Sequence, residues 1–263
     1  VTLTTGMLKE IIIAIQSYVD AHRFIAKHRL WKWIIIPGII YLLLFVTGIY
    51  FFWKTGNFMV EFMLQHSEIQ KWLSSIQGGW LKFFYILAQI IIHFILLLFY
   101  FSLFKYIFLI IGSPVFAYLS EKTENIMEGK DFPFNFPKLL SDIVRGVRLA
   151  VRNLFWQTLF LASLFLMSVI PLAGWITPLI ALFVEFYYVG FSMLDYNSER
   201  NNLNYHQSIR FVGQHKGLAI GNGMVYYAMH LIPIVGWLLA PSYAVVAATL
   251  SILSAKKKNV ILS

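Results

Sequence analysis

The 263 residues are 59% hydrophobic and 17% aromatic but only 13% charged, with a mean hydropathy of +0.70. A soluble domain carries about 25% charged residues, so the chain reads as an all-α integral membrane protein, and its length holds one membrane domain, 1–263, with no room for a separate soluble one. The formal net charge of +9 reads as basic loops held on the cytoplasmic side rather than as a nucleic-acid footprint, since no such motif is present, and the lack of cysteine excludes disulfides, thiolate metal sites and cysteine nucleophiles.

Residues 8–28 place Leu8, Ile11, Ile12, Ile15 and Val19 at helical spacing, with Gln16, Asp20 and Arg23 among them. This predicts an N-terminal amphipathic helix lying in the membrane interface. Its IIIAI core, 11–15, is too short for the h-region of a signal peptide. Residues 33–53 form the first long apolar run, flanked by Trp31, Trp33 and Trp53. About 21 residues at ~1.5 Å each cover the ~30 Å hydrocarbon core. Pro37 falls in the first turn of that span, where it costs little.

A second long run, 83–112, contains His93, read as a packed neutral histidine, and Lys105, placed near one end where it can snorkel. Residues 113–153 open on Ser113-Pro114 and are rich in charge. Within them Arg145, Arg148 and Arg152 share a helical face, which predicts a surface helix leading into the membrane.

Two interrupted apolar segments follow, 154–194 and 218–253. Each carries the same device: Ile170-Pro171-x-x-Gly174-Trp175 with Pro178 beyond it, and Ile232-Pro233-x-x-Gly236-Trp237 with Pro241 beyond it. Proline fixes φ and lacks an N–H, and glycine permits positive φ, so both read as tight corners between two helices. Limbs of 17 residues (Leu154–Ile170) and 15 residues (Leu218–Ile232) are about 25 and 22 Å long. They suit half-penetrating helical hairpins; the other reading is four ordinary, slightly short, kinked spans. Backbone at such corners has to be buried or line a wet cavity, and paired Gly/Pro-broken segments point to a transport site. The expected transport path includes Pro171, Gly174, Pro233 and Gly236 at the corners, Glu185 past the first, and Asn222 and His230 before the second. Glu185 is the sharpest of these, because a carboxylate at that depth is functional by default. A structural hydrogen bond to another helix is the competing reading.

Lys and Arg number five before the first span, three in 54–82, six in 113–153, three in 195–222 and three at the tail. If both broken segments return to their own side, only 54–82 lies outside and both termini are cytoplasmic.

The basic stretch before an IIIPG-type first span, Ser113-Pro114 followed by Glu121-Lys122, the Pro171, Gly174, Pro178 break, Asp195-Tyr196 after it and the Pro233, Pro241 break together resemble the CysZ sulfate permease family, which is related to the etoposide-induced membrane protein family. The resemblance runs from about residue 10 to 252. It implies two long transmembrane helices, two pairs of half-penetrating helices, homo-oligomers and sulfate uptake across the bacterial inner membrane. It also implies sulfate binding at a Gly-Leu/Ile-Arg-Arg stretch before the first span. Here that stretch is Arg29-Leu30-Trp31-Lys32. Lys32 matches the second Arg, Arg29 stands for the Gly and Trp31 for the first Arg. Arg is a planar bidentate fork for an oxyanion, whereas Trp offers one N–H and no charge. Arg23 and Lys27 keep the stretch cationic, and an anion there would also meet a helix N-terminus.

No His/Glu spacing brings metal ligands together, and Gly221-Asn222-Gly223 lacks the context of a phosphate-binding loop. No cofactor is expected, and an intramembrane enzyme is the weakest reading. The leading expectation is a permease or channel for sulfate or a related small oxyanion, working in the lipid bilayer as a homo-oligomer. The alternative is a non-transporting membrane scaffold or stress-related protein of the same fold.

Overall fold

A computed structural model describes residues 2–66, 79–129, 136–168, 170, 173–198 and 203–257. The described residues form eight α-helices and no strand: α1 (Thr2–Lys27), α2 (Trp31–His66), α3 (Gly79–Glu128), α4 (Phe136–Ser168), α5 (Ala173–Ser198), α6 (Tyr205–Gln214), α7 (Lys216–His230) and α8 (Val235–Lys257). Five segments are long and apolar enough to cross a membrane: Trp31–Lys54, Ser102–Glu128, Val144–Ser168, Gly174–Asn197 and Val235–Lys257. The protein is therefore a multi-pass membrane protein.

α8 is the central pillar. It packs against α1, α2, α3, α5 and α7, and every residue from Ala240 to Leu253 is buried. A helix apolar on all faces belongs inside a bundle. α2 packs inward on α8 and α3 and turns Ile36, Ile39, Leu43, Val46 and Tyr50 outward, as a lipid-facing span does.

α7 is wedged between α1 and α5 by glycines on two faces. A Cβ on Gly223 would stand 1.9 Å from the Phe186 carbonyl oxygen of α5, and one on Gly221 would stand 2.8 Å from the Ile11 oxygen of α1. Small residues let helix backbones touch where lipid supplies no hydrophobic drive. This is the role of the Gly221-Asn222-Gly223 stretch.

α1 buries Glu10, Ile13, Ala14, Ser17, Tyr18 and Ala21 against α7 and α8 and leaves Leu8, Ile12, Ile15 and Val19 exposed. It is amphipathic as expected, but with one face committed to protein and the opposite apolar stripe free.

The charged region after Ser113-Pro114 does not begin a loop. α3 runs on past Pro114 to Glu128, 50 residues in all, about 75 Å. Pro114 has no N–H for the Ile110 carbonyl, and the Ser113 hydroxyl donates to that oxygen instead at 2.9 Å. α5 uses the same device: the Thr177 hydroxyl donates at 2.7 Å to the Gly174 carbonyl that Pro178 leaves free. The second proline of each repeat thus lies inside a helix, not in the break. The first break falls between Ser168 and Ala173 and the second between His230 and Val235.

The surface helix expected around Asp142–Arg152 and the limb after it are one helix, α4, of 33 residues. Its crossing-competent segment has 25 residues and that of α5 has 24, so the first pair is not short. α7, with 15 residues, is.

Candidate functional site

Lys105 does not snorkel. It is 5% exposed, and its ammonium donates to Glu185 Oε2 at 2.8 Å and to Gln157 Oε1 at 3.2 Å. Glu185, 1% exposed, also accepts from Gln157 Nε2 and from the Tyr227 hydroxyl. The Tyr106 hydroxyl donates to Gln157 Oε1 at 2.8 Å, and the Lys105 ammonium lies 5.0 Å from the Tyr106 ring centroid. Four helices meet here: α3 brings Lys105 and Tyr106, α4 Gln157, α5 Glu185 and α7 Tyr227. Two charges withdrawn from water cost several kcal/mol each, and only close pairing with further hydrogen bonds offsets this. Three donors on one carboxylate supply that pairing.

A second cluster sits at the end of α7. Among the described residues the partner of His230 Nδ1 is the Tyr226 carbonyl, 2.8 Å away. A carbonyl only accepts, so Nδ1 carries the proton. Nε2 of the neutral ring then accepts from the Tyr41 hydroxyl at 2.8 Å, and the Tyr226 hydroxyl donates to the Tyr41 oxygen at 2.9 Å. His230 is thus tied to α2. Asn222 turns elsewhere: its amide donates to the Ala244 carbonyl of α8 at 3.2 Å, and the Tyr18 hydroxyl of α1 reaches its backbone oxygen at 2.9 Å. The structure does not bring Asn222 and His230 to a common wall.

The second corner satisfies itself. Leu231 and Ile232 N–H donate to the Ala228 and Met229 carbonyls, Gly236 N–H to Ile232, and the Trp237 indole to the His230 carbonyl at 2.9 Å. With these polar groups paired internally, the apolar tip at Leu231, Ile232, Pro233 and Ile234 stands exposed. At this second corner these groups are met within the turn itself, whereas the sequence predicts them buried in protein or lining a wet cavity. Nor do the corner glycines supply positive φ; Ile234 does, at +62°. Gly174 and Gly236 are there for close approach, since a Cβ would lie 2.5 Å from the Ser168 oxygen and 1.7 Å from the Met229 oxygen. Pro171 lies outside the described residues.

The basic stretch forms the corner between α1 and α2. Leu30 N–H returns to the Ile25 carbonyl at 3.1 Å and Arg29 N–H to Ala26 at 3.4 Å, with Arg29 at φ +53°. This is a Schellman stop, in which the residue past the helix end is left-handed and the next one packs back onto the last turn. Leu30 and Ile25 are both fully buried. The Gly that the resemblance places at position 29 is therefore a backbone requirement, met here by an arginine. Arg23, Lys27, Arg29 and Lys32 are exposed, and among the described residues none is paired with a carboxylate.

Sequence reasoning found Glu185 but missed its partners. Lys105 inside an apolar run was the available signal, because an intramembrane charge implies a partner. Gln157, Tyr41 and Tyr227 carried none. The His93 side chain lies outside the described ones, and no group of three metal-ligating side chains occurs among the described residues.

Comparison with known proteins finds relatives matching along most of the chain. The chain is 27% identical over 231 residues to a Pseudomonas aeruginosa protein named Sulfate transporter CysZ, covering 87% of this chain and 89% of that one. It is 26% identical over 219 residues to the protein of the same name from Pseudomonas fluorescens Pf0-1, covering 82% and 83%. It is 29% identical over 174 residues to that of Pseudomonas syringae pv. tomato, covering 65% and 68%. A family model described as Sulfate transporter CysZ/Etoposide-induced protein 2.4 matches residues 17–241. With the match running from Ser17 within α1 to Pro241 near the start of α8, the chain belongs to the Sulfate transporter CysZ/Etoposide-induced protein 2.4 family.

Proposed function

We propose that this protein is a permease for sulfate or a closely related small oxyanion in a bacterial cytoplasmic membrane. The observation that carries the reading is the Lys105–Glu185 pair, held at 2.8 Å inside spanning helices. Ionisable groups at that depth mark ion pathways, and relatives named as sulfate transporters supply the class of ion. Arg29, Leu30 and Lys32, with Arg23 and Lys27, form the capture point at the start of α2. The solute then passes by Glu185 between the α4–α5 and α7–α8 pairs, with Gly174, Gly236, Pro171 and Pro233 shaping the two corners and Asn222 and His230 bracing α7. The chain acts as one membrane domain within a homo-oligomer. Both helix pairs enter and return on the cytoplasmic side, α7 dips only part-way, and both termini are cytoplasmic.

The test is radiolabelled sulfate uptake into liposomes holding the purified protein, with selenate, molybdate and chloride as competitors. Saturable uptake is expected, with a half-saturation concentration raised several-fold in an Arg29→Ala/Lys32→Ala variant. No uptake of any of these anions by protein of native helicity would overturn the reading in favour of the scaffold alternative.

A further inference from the structure

We infer that Glu185 is a tethered occupant of an oxyanion site whose walls are Lys105, Gln157 and Tyr227, and that the transported anion enters by displacing its carboxylate. The inference rests on the permease reading and adds where the anion sits in the span and what bars it.

The donor set comes first. An ammonium, a carboxamide N–H and a phenolic O–H from three different helices converge on one carboxylate. A tetrahedral oxyanion asks for this same set: a fixed charge plus neutral donors in a dry site.

Individual polar groups lie on either side of the site along its helices. Towards one side a small cavity is lined by Leu109, Asn153, Ser192 and Asp195. These lie one turn beyond Lys105 on α3, one turn before Gln157 on α4, and two or three turns beyond Glu185 on α5. The cavity therefore opens on the same three helices as the site, about 6 Å further along α3 and α4. Arg152 stands beside it, half-buried, with Asn153 Oδ1 at 2.9 Å and the Phe191 ring at 5.7 Å. Towards the other side, one turn before Lys105, the Ser102 hydroxyl is buried with no hydrogen-bond partner among the described residues. An unpaired hydroxyl in a span is costly, and a passing oxyanion would satisfy it. The barrier between the two sides is the carboxylate of Glu185.

A tethered competitor acts at an effective concentration in the millimolar range or above, so its removal raises the apparent affinity for a free anion. The experiment is titration of the detergent-purified full chain with sodium sulfate by calorimetry, alongside liposome uptake. Glu185→Gln is expected to bind sulfate at least tenfold more tightly than the unmodified protein. Glu185→Asp, whose carboxylate is drawn back by one methylene while the charge pair is retained, is expected to fall between them. The gained affinity must disappear in Lys105→Met/Glu185→Gln, which separates this site from the basic corner at Arg29. If folded Glu185→Gln and Glu185→Asp bind sulfate no more tightly than the parent, the inference fails; sulfate uptake by the parent would then leave the permease reading standing. Tighter binding with no uptake by any variant would support the site and overturn the permease.

Discussion

The backbone N–H of Leu30 donates to the carbonyl of Ile25 at 3.1 Å, and both side chains are fully buried. This one contact turns the chain from α1 into α2 and holds Arg29 between them in the left-handed region, at φ +53°. A side chain there costs about 1–2 kcal/mol. Arg29→Gly is expected to stabilise the fold by about 1 kcal/mol, read as a higher thermal midpoint in detergent. The same variant should raise the half-saturation concentration for sulfate, because it removes a captured charge. Stability and capture moving in opposite directions would show that the arginine is kept for its guanidinium.

The crossing of α5 and α7 leaves no room for a side chain at Gly223, where the nearest atoms are the rigid backbone of Phe186. Gly223→Ala should cost about 1–3 kcal/mol or more by overpacking. The check is the thermal midpoint together with monodispersity. Gly146→Ala is the control, since nothing lies within 4 Å of a Cβ at that position.

Tyr41→Phe removes the donor to His230 Nε2 and the acceptor for the Tyr226 hydroxyl together. Stranding buried polar groups costs about 1–3 kcal/mol, so the thermal midpoint should fall. Tyr41→Phe/His230→Leu should recover part of the loss, because it removes one of the stranded partners.

Thr177→Val keeps the shape of the side chain and removes the hydroxyl that bonds the Gly174 carbonyl. With Pro178 unable to donate, that oxygen is left bare, and a loss of about 1–3 kcal/mol is expected. Thr177→Ser should retain most of the stability. A loss in Thr177→Ser with none in Thr177→Val would show that the methyl packing, not the hydrogen bond, matters.

The membrane class, the helical architecture and the two paired corners were legible in the chain, because burying apolar surface in lipid and satisfying backbone there leave few alternatives. The repeated Ile-Pro-x-x-Gly-Trp located both breaks. The basic stretch before the first span and Glu185 stood out because charge is rare in this sequence.

What the sequence left open was decided by packing between helices far apart in the chain. Nothing local says that Lys105 faces Glu185 eighty residues later, since a lysine near the end of an apolar run can equally reach the interface. Gln157 and Tyr227 look like ordinary residues of amphipathic limbs until four helices meet around one carboxylate. Pro114 and Pro178 both lie inside helices, and a hydroxyl one residue earlier, aimed at the orphaned carbonyl, keeps those helices running. Local chemistry set what each segment is. Which polar groups face one another inside the membrane was set by helix contacts, where an unpaired charge costs too much to be left alone.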